Sequence, residues 1–286
     1  MASLPPERTS AYVCIFVCFA TKAVHLEATS DLTTDAFLAA FHRFISRRGC
    51  PSTMFSDNGT NFVGASREIE KDYRTFLKEC QARMCSTFGT QGLSWRFIPA
   101  GAPHMGGLWE AAVKSFKRHF RREVQSVKYT FEELCTILAR IEACLNSRPL
   151  YPMSDNPLEP IALTPGNFLI GCPILFPPEP SIFESPISLV NRYRKVKAFT
   201  HEFCRRWKEE YLSNLHKRYK WKSPERDISL NDLVVIRQEQ MSPTSWKLGR
   251  VVKLYPGSDH HVRVADLLTE NGIVKRPITK LVVLTS

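Results

Sequence analysis

Several things are scarce or missing in this sequence, and each absence excludes a class. No apolar run is long enough for a bilayer: the longest uncharged one, Ala11 to Ala20, has ten residues, about half of what a spanning helix needs. No Cys-x-x-Cys pair occurs among the nine cysteines (14, 18, 50, 80, 85, 135, 144, 172 and 204). An odd number with that spacing indicates neither a disulfide framework nor a cysteine-based zinc site. Most of these cysteines sit at apolar positions and read as small buried residues. Internal repeats and low-complexity tracts are also missing, and an ordinary composition rules out disordered and collagen-like chains. Acids are in short supply. Against 39 Lys+Arg stand 28 Asp+Glu, a net charge of +11 over 286 residues, which points to a polyanionic partner and first of all nucleic acid.

Arg8, the apolar stretch and Ala20-Thr21-Lys22-Ala23 together faintly resemble a signal peptide, but Lys22 is a poor cleavage context and the segment fits better as a strand. Asn58-Gly59-Thr60 is a glycosylation sequon by pattern and carries no meaning inside a cell. The expected setting is intracellular, nuclear when acting on DNA, with no secretion and no membrane.

What is present reads as an α/β protein. Tyr12 to Ala20 is continuously apolar with β-branched and aromatic residues, as in a strand covered on both faces, and Lys22 to Thr29 forms a hairpin partner that alternates. Thr33 opens a helix whose buried stripe is Phe37, Phe41, Phe44 and Ile45, closed by Gly49 and Pro51. A short strand, 53–56, runs into Asp57-Asn58-Gly59. An amphipathic helix is expected over 66–84, a strand over 93–98, and a basic helix from about Gly106 to Val127. Thr130-Phe131-Glu132-Glu133 has the capping-box pattern and starts a helix that Pro149 stops. The expected division is a core domain over 1–150, a proline-rich linker over 151–191, a basic helical segment over 192–228 and a small β-barrel over 229–286. Arg192 to Arg226 alone holds twelve Lys/Arg against four Glu.

Two acids stand out. Asp57 follows a strand, the usual place for a catalytic side chain on an α/β sheet, although Asp-Asn-Gly alone is also an ordinary turn. Glu110 lies in the first turn of its helix, where a carboxylate also suits the dipole. Together they could hold a divalent metal through hard oxygen ligands. On the Glu110 helix, Lys114, Lys117 and Arg121 follow at +4, +7 and +11, on the same face as the acid. That pattern suits a metal facing a phosphate backbone, or equally an i,i+4 salt-bridged surface helix. Trp109, Val113, Phe116 and Phe120 fall a quarter turn away and would pack on the sheet. His104 precedes Glu110 in a loop and could touch DNA. In the tail, Trp246, Arg250 and Lys253 line a candidate DNA-facing surface, with Trp246 alternatively part of the core. His260-His261 has no partner at metal-ligand spacing and reads as strand and turn.

Phe55-Ser56-Asp57-Asn58-Gly59-Thr60-Asn61-Phe62, then Pro103-His104-Met105-Gly106-Gly107-Leu108-Trp109-Glu110-Ala111-Ala112-Val113-Lys114, resembles the core of retroviral and LTR-retrotransposon integrases, closest to the BEL/Pao class. The stretch 11–27, the motif Asn146-Ser147-Arg148-Pro149-Leu150 and the tail from Trp246 to Leu281 are similar to that class as well. The resemblance implies a ribonuclease H-like core with an Asp–Asp–Glu triad and two Mg²⁺ ions. Such a core performs DNA integration by in-line phosphoryl transfer, acting on element ends and target DNA as a homo-oligomer. Asp57 matches the second acid and metal ligand, Glu110 the third. Lys114 and Lys117 match DNA-contacting positions.

The family's first aspartate lies on a strand before Tyr12, and residues 1–10 contain no Asp; Pro5-Pro6 there cannot sit in a central strand. Neither Glu7 nor Glu27 replaces it convincingly. The expectation is therefore an integrase-type chain, its core truncated at the amino end, that binds metal poorly and does not join DNA strands by itself. The alternative is a non-catalytic DNA- or chromatin-binding remnant of the same fold, and Mg²⁺-dependent nicking separates the two. A third class, a secreted disulfide protein, predicts cleavage near Ala23 and oxidised cysteines.

Overall fold

The computed structural model describes residues 11–56, 94–97, 107–124, 128–154, 156, 158–176, 192–215, 228–238, 242–258 and 261–284. It is a mixed α/β chain that divides into two compact units. One takes Met1–Phe19, His25–Arg118 and Lys128–Leu138; the other takes Ala20–Val24, His119–Val127 and Ala139–Ser286.

In the first unit, β1 (Tyr12–Val17) neighbours β2 (Val24–Thr29) in a two-stranded sheet, followed by α1 (Thr34–Arg48). The Thr33 hydroxyl accepts from the Ala36 amide, and Gly49 takes φ 84° to end the helix, donating to the Ile45 carbonyl. Only glycine adopts that conformation without strain. Asp31 in turn accepts from the Thr33 amide at 2.8 Å, and its hydrogen bonds to Thr33 hold the carboxyl below its ordinary range. The stripe predicted for α1 is the one that packs. Phe16 and Phe41 are buried, with Phe37, Leu38, Phe44, Ile45, Cys14 and Met54 against them, and Phe16 stacks on Phe44 at 4.3 Å. β3 (Thr53–Ser56) pairs parallel with β4 (Ser94–Phe97), Thr53 opposite Ser94 and Phe55 opposite Arg96. The helix expected over 66–84 lies outside the described residues.

β2 departs from simple alternation: all six of its residues are buried, His25 and Glu27 included. Burial of the Glu27 carboxylate is offset by charge-assisted bonds from α1, with Arg43 Nε at 2.6 Å and Arg47 Nη1 at 2.8 Å, and by His25 Nε2 at 3.0 Å. Desolvation, with the Glu27 charge adding to it, pushes the Cys14 thiol up to about 12.

α2 (Gly107–Val124) and α3 (Phe131–Asn146) contribute residues to both units. At the start of α3 the capping box forms as read from the sequence. The Glu133 amide donates to the Thr130 hydroxyl at 3.2 Å, and the Thr130 amide donates to the Glu133 carboxylate at 2.8 Å.

The second unit is built on a five-stranded antiparallel sheet. Its strands are β7 (Leu233–Ile236), β8 (Leu248–Pro256), β9 (Val262–Thr269), β10 (Gly272–Pro277) and β11 (Leu281–Val283), in the order β10-β9-β8-β7-β11. β7 explains its own unbroken apolar run. Leu233 and Val235 enter one core with Ala162, Leu212, Val282 and Leu284, while Val234 and Ile236 enter another with Val251, Ala265, Leu267 and Leu281. Gly249 lies close-packed on β8: a Cβ there would meet Leu267 Cβ at 3.2 Å and Ile236 Cδ1 at 3.3 Å, a tight contact.

The proline-rich segment differs from a bare linker over its described part. β5 (Tyr151–Pro152) pairs with β6 (Ala162–Leu163), Ala162 is buried in the core, and α4 (Pro165–Ile170) follows, capped by Thr164 and Asn167. Prolines occupy a strand edge and the first helical position, where a missing N–H costs nothing. α5 (Arg192–Leu215) buries Val196, Phe199, Thr200, Phe203, Cys204 and Leu212. The motif Asn146 to Pro149 is a hydrogen-bonding hub of this unit. Asn146 bonds both the amide and the carbonyl of Val24, at 2.8 and 2.7 Å. Arg148 donates to the carbonyls of Leu145 and Lys22, the Ser147 hydroxyl accepts from Trp246 Nε1 at 2.9 Å, and Tyr211 donates to the Pro149 carbonyl at 2.6 Å.

The expectation for the cysteines needs correcting. Among the seven described, Cys144 and Cys204 are buried, whereas Cys18, Cys50, Cys135 and Cys172 are exposed. Three of the four lie in connections just beyond an element, where apolar neighbours in the sequence do not produce burial. No described helix is long and apolar enough to cross a membrane.

Candidate nucleic-acid interface

The face that α2 turns outward begins with Glu110, half-buried in the first turn, and continues through Lys114, Lys117 and Arg121, all exposed. Arg118 and Arg122 are exposed beside them. Among the described residues, Lys114, Lys117 and Arg121 hold no ion pair. Three lysine and arginine heads along one face, with no carboxylate paired to them among the described residues, produce a local positive field. The helix is held from its other side: Phe116 is 6% exposed and His119 5%. The side chain of Trp109 lies outside the described residues.

The other expected site residues fall into three groups. Asp57 and His104 lie outside the described residues. Lys253 is exposed on β8, where its ammonium sits 5.1 Å from the centre of the Tyr255 ring. On the same face, Lys275 of β10 approaches that ring to 4.1 Å, and Tyr255 donates to Asp266 at 2.7 Å. Arg250 is placed differently from a surface cation. It is 2% exposed and donates to the carbonyls of Asn231 at 3.0 Å, Ser154 at 2.5 Å and Glu159 at 3.3 Å, tying the 151–163 segment to the sheet. Trp246 takes its core alternative, packing against Leu212, Leu233 and their neighbours, with Tyr211 edge-on at 5.7 Å.

Mg²⁺ takes hard oxygen ligands. Of the two expected carboxylates only Glu110 is described, and no group of three or more His, Cys, Asp or Glu among the described residues could hold a metal. The described residues do not compose a metal centre.

The segment richest in positive charge is partly neutralised. On α5, Arg205 pairs with Glu202 and Glu209 at 2.7 Å each, and Arg206 with Glu202 at 2.7 Å and Glu123 at 2.8 Å. Lys208 is spent on the carbonyls of Ser242 and Ser245, and burial lowers its pKa. Near the start of the helix Arg194 and Lys195 are exposed.

Residues 191–284 match a family described as a family of unknown function (DUF5641). That is the extent of the family match. No curated protein matches the chain. Among solved structures, the chain is similar to the cryo-EM structure of the simian T-cell lymphotropic virus intasome in complex with PP2A regulatory subunit B56 gamma, at 11% identity and a TM-score of 0.37, covering 98% of this chain and 74% of that one. A likeness at that score carries no argument about chemistry, and the functional reading rests on this chain's own residues.

Two groupings were not visible in the sequence. Glu27 meets Arg43 and Arg47 only because α1 lies across β2, and His119 meets Glu210 across 91 residues of chain. The one available signal was a charged residue in a strand with apolar neighbours, at Glu27.

Proposed function

We propose that this chain is an integrase-type nucleic-acid-binding protein of retrotransposon origin, closest to the BEL/Pao class. It would combine a ribonuclease H-like core with a small barrel formed by the carboxy-terminal sheet. One observation carries the reading: the face of α2 on which Glu110 is followed by the exposed cations Lys114, Lys117 and Arg121, which hold no ion pair among the described residues, within a sequence that resembles an integrase core. Lysine and arginine heads spaced along a helix engage successive phosphates without reading bases, so the partner is DNA recognised through its backbone. Lys253 on β8 is a second contact of the same kind. In this reading the active form is a homo-oligomer acting on element ends and target DNA in the nucleus.

Glu110 and Asp57 would serve as two carboxylates toward Mg²⁺, whose chemistry is to activate the attacking oxygen of a phosphoryl transfer. The proposal is that this chain binds DNA through the cationic face of α2.

The test is duplex binding across a salt series with the full chain and its Lys114→Glu/Lys117→Glu variant. The double substitution is expected to weaken binding by about 10-fold or more and to flatten the salt dependence by about two phosphates. Equal affinity of the two chains would sink the reading. Strand-transfer product made with Mg²⁺ and abolished by Asp57→Asn would instead show that the chain is a competent enzyme.

A further inference from the structure

At 100° per residue, α2 has two opposed faces. Glu110, Lys114, Lys117 and Arg121 lie on one; Phe116, His119, Phe120 and Glu123 lie on the other. The second face is gripped by α5 at four points. His119 Nε2 bonds the Glu210 carboxylate, and its ring meets Phe203 edge-on at 5.9 Å. Phe120 meets Phe199 edge-on at 5.3 Å, and Glu123 pairs with Arg206 Nη1 at 2.8 Å. Glu202, one turn back on α5, holds the Arg206 Nε at 2.7 Å and so aims its guanidinium. Apolar contacts alone tolerate a helix rolling about its axis. The His119–Glu210 hydrogen bond and the Glu123–Arg206 ion pair, at low exposure, do not, because a roll breaks them and leaves charges poorly solvated. The side chains of His119 and Glu123 are 6% and 16% exposed.

We propose that α5 is the rotational lock of α2: Glu210 and Arg206 are positioning residues that set where the Glu110–Lys114–Lys117–Arg121 face points, acting through His119 and Glu123. This rests on the nucleic-acid reading of that face. It gives the middle of the basic segment a role other than touching DNA, which fits the neutralisation of Arg205 and Arg206 by their own carboxylates.

The sign of the effect separates positioning from simple electrostatics. Glu210→Ala and Glu123→Ala each remove a negative charge, so a bare charge effect tightens binding to a polyanion. A lock predicts the opposite: full-chain affinity for a short random-sequence duplex falls by about 3- to 10-fold, with a shallower salt slope. Glu210→Gln, which keeps an acceptor for His119, stays near the parent. Glu123→Ala is the milder change, since Arg206 retains Glu202, and it serves if Glu210→Ala does not fold. A folded Glu210→Ala or Glu123→Ala chain that binds as tightly as the parent, or tighter, overturns the lock. Should the parent itself fail to bind the duplex, the nucleic-acid reading falls. Amide exchange then decides the lock alone: protection over 110–118 lost in Glu210→Ala and kept in Glu210→Gln supports it, and unchanged protection refutes it.

Discussion

Arg250 shows how one residue's environment decides its role. Its neighbours in the sequence, Trp246 and Lys253, belong to a basic, aromatic stretch that suits a DNA surface. Its guanidinium instead donates to three backbone carbonyls, those of Asn231, Ser154 and Glu159. Arg250→Ala is therefore expected to lower stability by about 2–4 kcal/mol, read as a shift in urea midpoint, while leaving the salt slope of DNA binding unchanged. A changed slope with normal stability would return Arg250 to the binding surface. Glu27 makes the same point for an acid. Arg43 and Arg47 remain 40% and 58% exposed, so the cluster is a half-solvated clamp of α1 on β2 and is worth less than a fully buried ion pair.

At the scale of elements, most of what forms was readable. The α1 stripe, its Thr33 and Gly49 ends and the Thr130 capping box follow from local rules of period and terminus chemistry. Thr130→Ala removes a cap that both partners satisfy, and is expected to cost about 1 kcal/mol, measured by thermal or urea unfolding. No loss would mean that the box is redundant. The proline-rich segment was harder to read, because two-residue strands have no period; β5 and β6 exist only because each supplies the other's hydrogen bonds. The rotation of α2 is also an element-scale property. Its sequence specifies two faces, and only the packing of Phe199, Phe203, Arg206 and Glu210 decides which one is covered.

Over the whole molecule, thiol reactivity reports the packing. Cys144 and Cys204 are 0% and 1% exposed, and burial, with the neighbouring Cys144 adding to it, pushes the Cys204 thiol well above its ordinary value. A raised pKa leaves less thiolate at any given pH, so both effects slow alkylation. Cys50 and Cys172 are expected to label in the native protein, and Cys144 and Cys204 only after denaturation, as counted by mass spectrometry. Labelling of Cys204 at the rate of Cys50 would contradict the packing. The sequence by itself determined what short-range chemistry can determine: helix and strand periods, helix ends, a positive field, and a stripe of acid and cations on one helix. Tertiary structure alone decided which charges are available. The densest basic segment turned out to be partly spent on its own acids and on carbonyls, while Lys114, Lys117 and Arg121 of α2 hold no ion pair among the described residues. Whether a charge is paired depends on neighbours brought from tens of residues away, and local pattern does not carry that distance.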